Sequence, residues 1–287
     1  RVPGQTDAPG SLVWEWRTDL YSFDLSDFHA PVARSSDWVA GYNNVILATD
    51  RFLLVAQSGY QMNDGYASTI HIYDISNPDG TFEQLSTARA LGIIRDKFKM
   101  NISGDVLPVV SQRESVAGRP TMVETISLED PRSPQRLGSL KIIENEQLHA
   151  TRFHGDLLYA VTFMQVDPLW IIDLSDPAAP EIKGELEIPG WSTYIHPLPG
   201  QLLTIGIDNT AGWRTSVQLF DVSDVANPTL ASKVLIGDSS SGSEANQDEK
   251  AFQVLPEENL ILVPFHGNVG DQNWINGVHI IDFLPGE

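Results

Sequence analysis

The chain has 287 residues, enough for one large all-β domain or two small ones. Its 38 acidic residues against 18 basic ones give a formal charge of −20, a surface that repels nucleic acid and anionic lipid and attracts cations or basic partners. Cysteine is absent, which excludes disulfides, thiolate metal sites and a cysteine nucleophile, and no apolar run approaches the roughly 18 residues of a transmembrane helix.

Arg1-Val-Pro-Gly-Gln-Thr-Asp7 reads as an internal starting point, with a precursor segment expected ahead of it. Residues 1–19 read as an irregular N-terminal segment, in which Leu12 to Trp16 is a candidate strand. A repeat then begins. Leu20-Tyr-Ser-Phe-Asp-Leu-Ser-Asp27 returns as Ile70-His-Ile-Tyr-Asp-Ile-Ser-Asn77, Leu169-Trp-Ile-Ile-Asp-Leu-Ser-Asp176 and Val217-Gln-Leu-Phe-Asp-Val-Ser-Asp224. Met122 to Asp130 is a degenerate copy and Val278 to Phe283 a truncated one. The central residues Asp24, Asp74, Ser127, Asp173, Asp221 and Asp282 are spaced by 50, 53, 46, 48 and 61 residues. Each copy carries the β-branched and aromatic residues that strands prefer. The Asp or Asn and the proline that often follow it are turn chemistry. The recurring aspartates are therefore expected to tie a strand to its turn.

Two further strands precede each copy and one follows it. Leu148 to Phe153 turns at His154-Gly-Asp156 into Leu157 to Phe163, and Ala251 to Leu255 turns at Pro256 to Asn259 into Leu260 to Pro264. Glu181 to Ile188 and Thr229 to Leu235 are the strands that follow. Four strands in a period near 50 residues predict an all-β fold, a β-propeller of four-stranded antiparallel blades. Residues 1–287 are read as one such domain. Four full blades are expected between about residues 38 and 237, with partial blades at either end. A closed ring would have five or six blades, its termini pairing to protect exposed edges, and a larger ring of seven or eight blades would include this chain as a part.

Residues 146–267 resemble a group of bacterial and archaeal secreted proteins with a C-terminal β-propeller distantly related to WD repeats. Ala150 to Asp156, Val161 to Leu169, Ile172 to Pro177, Gly184 to Pro197 and Ser243 to Phe252 carry the resemblance. The resemblance implies a propeller and secretion, hence an extracellular or cell-surface location, and no particular activity. Members of that group are longer, with blades ahead of the point where Arg1 stands, and carry His where this chain has Glu249.

One face of a propeller gathers the connections from second to third strand and from outer strand to the next inner strand. Here these are the long ones: Ser58–Ser68, Ser111–Thr121, Ile207–Ser216, Gly237–Lys250 and Gly267–Gly277. Long loops on a rigid scaffold are where binding concentrates. Aligning the inner strands places Asn44, Phe98, His149, Tyr194 and Lys250 near one level at the channel mouth, with Arg95, Asp96, His196, Asp248 and Glu249 as neighbours. Tyr60, Tyr66, Trp191, Trp213 and Trp274 stand in or beside the long loops, as stacking on sugar or anchoring a protein would require.

No HExxH, GxSxG or SxxK signature occurs among the seven histidines and many serines. Oxygen ligands are densest in Asp238 to Glu244 with Asn246, Asp248 and Glu249, and calcium is the cation such a loop would suit. The reading that follows is a secreted or cell-surface binding module for a protein or carbohydrate ligand. Its contact residues would be Trp191, Trp213, Trp274, His149, His196 and Lys250, and its cation site Asp238, Glu244, Asp248 and Glu249. One alternative is an extracellular hydrolase or lyase using His149, His196, Asp248 and Glu249 at the channel mouth. Another is a structural segment of a larger surface protein, its partners being other parts of its own precursor.

Overall fold

The computed structural model describes residues 16–61, 65–114, 118–163, 167–188, 190–210, 212–238, 241–269 and 272–283. The candidate strand at Leu12 falls almost wholly outside them. The described residues form strands arranged in six antiparallel sheets, joined by three single-turn 3-10 helices (Lys97–Lys99, Glu244–Asn246 and Glu249–Ala251).

Blade I holds β1 (Arg17–Asp24) and β2 (Val32–Ala40). Blade II runs β3 (Val45–Ala48), β4 (Phe52–Gln61), β5 (Gly65–Asp74) and β6 (Glu83–Arg89). Blade III is β7 (Val106–Gln112), β8 (Pro120–Ser127) and β9 (Gln135–Glu144). Blade IV is β10 (Gln147–His154), β11 (Leu157–Phe163), β12 (Asp167–Asp173) and β13 (Glu181–Ile188). Blade V is β14 (Trp191–Leu198), β15 (Gln201–Asp208), β16 (Arg214–Asp221) and β17 (Thr229–Ile236). Blade VI is β18 (Gln253–Leu255), β19 (Leu260–Val269) and β20 (Gln272–Asp282).

Three expectations change. Blade III has no regular inner strand. Isolated bridges at Ile93, Met100 and Ser103 follow β7 instead, because the Lys97–Lys99 turn interrupts the ladder. Second, the segments expected as loops are largely hairpin: β4 and β5 pair out to Gln61 and Gly65, and β19 and β20 out to Val269 and Gln272. At the first tip a cross-strand pair, Tyr60 on Tyr66 with ring centroids 5.6 Å apart, extends the ladder. Third, blades I and VI do not combine into one blade. Each contains its own third strand, β1 and β20, and the outer strand β2 is already paired with β1.

The recurring carboxylates do what their spacing implies. Asp24, Asp74, Asp173 and Asp221 each accept the backbone N–H two residues on, at 2.8–2.9 Å. Ser127 does so with its hydroxyl at 3.2 Å. A second turn follows at once, in which Asp27, Asn77, Asp130, Asp176 and Asp224 repeat the same bond. Those hydrogen bonds hold the Asp74 and Asp221 carboxyls below the usual carboxylate range, the serine side chain contributing most at both.

This double turn docks on the preceding blade. Ser86 Oγ donates to Pro131 O at 2.6 Å, and the Phe82 N–H donates to Ser35 Oγ at 3.1 Å. In the next two blades glycine stands at the same place. A Cβ on Gly138 would lie 2.6 Å from Pro177 O, and one on Gly184 would lie 2.0 Å from Val225 O. Beside each small residue the outer strand carries a bulge, marked by register shifts at Ser22/Phe23, Ile72/Tyr73, Thr125/Ile126, Ile171/Ile172 and Leu219/Phe220.

Docking buries both faces of blades II to V and one face each of blades I and VI, whose outward faces expose Tyr21, Phe23, Val278 and Ile280. Five apolar cores form, one between each pair of consecutive blades. Phe52, Leu54, Ile70 and Ile72 of blade II meet Leu107, Val109 and Ile126 of blade III. Tyr159, Val161, Leu169 and Ile171 of blade IV meet Ile195, Leu202 and Phe220 of blade V. Strands buried on both sides cannot alternate, which is why Phe52 to Ala56 reads as a continuous apolar run. Charge is admitted only with full pairing. Glu124, with none of its surface exposed, accepts the Leu91 N–H at 2.7 Å and Arg136 Nε at 2.9 Å, tying blade II to blade III.

Gly184→Ala is expected to cost about 1–3 kcal/mol, since the added methyl must push the Val225 carbonyl away by more than an ångström. Gly59→Ala, whose Cβ meets nothing within 4 Å, is the control and should stay within about 0.5 kcal/mol. Urea denaturation of both variants measures the difference.

Candidate functional site

The inner strands and the loops at their N-terminal ends bring the expected residues into three groups rather than one ring. The largest lies between blades IV and V. Trp191 opens β14 and its ring is 4.8 Å from Phe163, 5.9 Å from His149 and 5.1 Å from Trp213, the last edge-on at 82°. Gly190 at φ +89° takes the chain into this strand, and a Cβ there would lie 2.0 Å from Ile207 O. Trp191 is thereby fixed from below, while Trp213 stands 64% exposed above it. Trp191, Trp213 and His149, three of the six expected contact residues, thus share one aromatic platform. Phe163, at the end of β11, completes it and was not expected. Its position at the end of an apolar strand gives no sign in the sequence that it faces outward.

His149 is partly buried in this platform, and its Nε2 is closed off with no hydrogen-bond partner. Burial, reinforced by the nearby Lys99 charge, holds its pKa down to about 4. Lys99 itself is 1% exposed, donates to Asp96 Oδ2 at 2.5 Å and to the His149 carbonyl at 2.9 Å, and so fastens blade III to blade IV beneath the platform.

The second group lies around the inner elements. Phe98 and Tyr194 stand 5.6 Å apart, as their shared level predicts, and Phe252 adjoins Tyr194 at 6.1 Å. Arg152 packs over both Phe98 and Tyr194, at 5.5 and 5.8 Å from their centroids. His196 is partly buried, its pKa held down by burial and by the Arg152 charge. Asn44 does not join. Its Nδ2 donates to Thr18 Oγ1 at 3.1 Å and to the Ala40 carbonyl at 3.2 Å, so it serves the junction with blade I.

The third group is the acidic loop. Asp248 caps the Glu249–Ala251 turn by accepting the Lys250 N–H, Glu249 pairs with Lys97 Nζ at 2.6 Å, and Glu244 Oε1 lies 3.6 Å from His266 Nδ1. The Asp238 N–H donates to Ser241 Oγ. Among the described residues no three His, Cys, Asp or Glu side chains converge as metal ligands. Lys250 is exposed, and Trp274, 56% exposed, packs its ring 5.6 Å from His266 on blade VI, apart from the other tryptophans. No hydrogen bond or ion pair joins the side chains of His149, His196, Asp248 and Glu249 to one another; each has different neighbours.

Repeated sheets stacked face to face through their turns, with long hairpins on one face, define a β-propeller. The chain belongs to the family described as Beta propeller domain, which it matches over residues 13–284. It is 44% identical over 98 residues to an uncharacterised protein of Methanocaldococcus jannaschii, covering 34% of this chain and 16% of that one. It is 31% identical over 142 residues to an uncharacterised protein of Archaeoglobus fulgidus, covering 50% of this chain and 22% of that one. The chain therefore spans about a fifth of the length of these curated relatives. Among solved structures it is similar to the β-propeller domain of the Trilobed protease from Pyrococcus furiosus, with a TM-score of 0.45 and 14% identity over 85% of this chain and 70% of that one. Among the described residues no helix is long and apolar enough to cross a membrane.

The depressed pKa of His149 predicts a pH dependence of stability. Above pH 6.5 the imidazole is neutral in both folded and unfolded chains. Below it the unfolded chain takes up a proton that the folded chain refuses until about pH 4, so this contribution to stability is present above pH 6.5 and is lost as pH falls towards 4. The loss is at most about 3 kcal/mol. His149→Phe should flatten the decline of melting temperature between pH 7 and pH 4.5 relative to the native chain. Burial lowers the pKa of His71, His196 and His279 with the same sign, so the difference between variant and native chain is the quantity to compare.

Proposed function

We propose that this domain is a non-catalytic binding module of an extracellular or cell-surface protein, and that its long-hairpin face carries the contact surface. The observation that supports this reading is the platform of Trp213 edge-on against Trp191, which Phe163 and His149 flank: a large aromatic side chain, 64% exposed, over three rings that lie 4.8 to 6.0 Å from one another. A fixed, exposed indole binds the flat apolar face of a sugar ring or an apolar side chain of a protein with little loss of rotamer freedom. Two lesser aromatic positions lie on the same face, Tyr60 on Tyr66 and Trp274 on His266. The four groups that an active site would need have separate partners, which favours binding over hydrolysis. The external location follows the resemblance to secreted propellers. The far greater length of the curated relatives leaves room for activities carried by other parts of such proteins.

Carbohydrate and protein ligands are separated by affinity electrophoresis through gels containing soluble polysaccharides and by capture on immobilised cell-surface protein extracts. Trp213→Ala is expected to lower affinity for the ligand so found by about tenfold or more, the loss of a contact hot spot. It should leave the urea midpoint unchanged, because the side chain is mostly in solvent. Unchanged affinity in this variant counts against the platform.

A further inference from the structure

The second group described above contains a cavity of about 290 Å³ at the axis of the blades. Inner elements of three blades line it. Leu47 comes from β3, Lys97, Met100 and Asn101 from the irregular inner segment of blade III, and Arg152 and Phe153 from β10. Tyr194 of β14 packs against Arg152 from blade V.

Of the twelve arginines of this chain, Arg17, Arg34, Arg51, Arg95, Arg132 and Arg136 each lie against a carboxylate. With 38 acidic residues against 18 basic ones, a carboxylate partner is the ordinary outcome. Among the described residues Arg152 has none within ion-pair distance. Its guanidinium is held instead by the faces of Phe98 and Tyr194. Aromatic faces contact the plane of a guanidinium and leave its N–H edges unsatisfied. Those edges are not sealed in the core, since no Arg152 nitrogen is among the closed-off atoms without a partner. The adjacent Lys97 is neutralised by Glu249 at 2.6 Å, so the cavity carries one uncompensated positive charge.

We infer that this axial cavity is a binding site for a small carboxylate with a short apolar body, held by the guanidinium edge of Arg152. A single fixed guanidinium matches a singly charged planar carboxylate through two parallel hydrogen bonds. Leu47, Met100 and Phe153 supply apolar walls that an alkyl chain fills and a bare phosphate does not. The volume lies at the small end of ligand pockets, which run from about 300 Å³ upward, so the ligand has only a few carbon atoms. The site is separate from the Trp213 platform and does not depend on it.

The test is isothermal titration of the purified chain with sodium butyrate at constant ionic strength, with sodium phosphate as a parallel arm. Butyrate is expected to bind saturably at one site. Arg152→Met should weaken it about tenfold or more, Arg152→Lys should give an intermediate loss because the point charge remains without the fork, and Trp213→Ala should have no effect. Melting curves show that each variant is folded. Absence of saturable butyrate binding in the native chain overturns the inference without need of any variant. So does equal binding by a folded Arg152→Met chain. Phosphate binding as tightly as butyrate overturns the carboxylate assignment.

Discussion

The close approach of each double turn to the outer strand of the blade before it sets the geometry of this molecule. The turn presents a main-chain carbonyl, and the strand must present something small. Ser86 meets it with a hydroxyl, while Gly138 and Gly184 leave no side chain at all. The bulge beside each small residue turns the strand so that the contact can be made. The asparagine and aspartate side chains that shape the turn satisfy its N–H groups within the turn itself, which leaves the carbonyls for the neighbour. The latch costs little in side-chain entropy and brings two sheets close enough to expel water along their whole length.

Stacking then determines where chemistry can occur. The middle sheets, buried on both faces, leave their ends and edges open. At one end, the hairpins that outrun the core carry aromatic residues into solvent. At the inner edges, strands of successive blades converge. Bulges in β10 between Leu148 and Thr151, and in β14 between Ser192 and Tyr194, break the simple alternation there. His149 consequently packs with Trp191 while Arg152 packs over Phe98 and Tyr194. Lys99 separates the two groups, its ammonium consumed by Asp96 and the His149 carbonyl. The chain is strongly acidic overall, yet the axial cavity is lined by Lys97 and Arg152. Carboxylates gain hydration at the surface, and a buried cation must be held by rings or paired.

The repeat was legible because its signals are local. A strand of β-branched residues, an aspartate, a serine and a second Asx residue specify a turn whatever surrounds them. The latch position was also present in the sequence as Ser35, Gly138, Gly184 and Ser232, eleven residues after Asp24, Ser127, Asp173 and Asp221, and as Ser86, twelve after Asp74. It escapes a reading that looks for what is conspicuous, because small residues in a strand are ordinary. Trp191, Trp213 and His149 were legible as candidates, though not as neighbours. In the acidic loop, four carboxylates within twelve residues suggest one cation, and the tertiary structure gives two of them further partners: Asp248 caps a short turn and Glu249 pairs with Lys97.

Local chemistry thus fixed the strands, the turns, the period and the face on which long connections gather, since each depends on residues a few positions apart. The number of separate sheets at the two ends, the loss of a regular inner strand in blade III and the partners of Arg152 were fixed only by the tertiary structure. Phe98 and Arg152 are 54 positions apart, and Lys97 and Glu249 are 152 apart. Such pairs meet only when whole blades are docked and bulges have set the direction of each side chain, and neither is written in the residues that flank them.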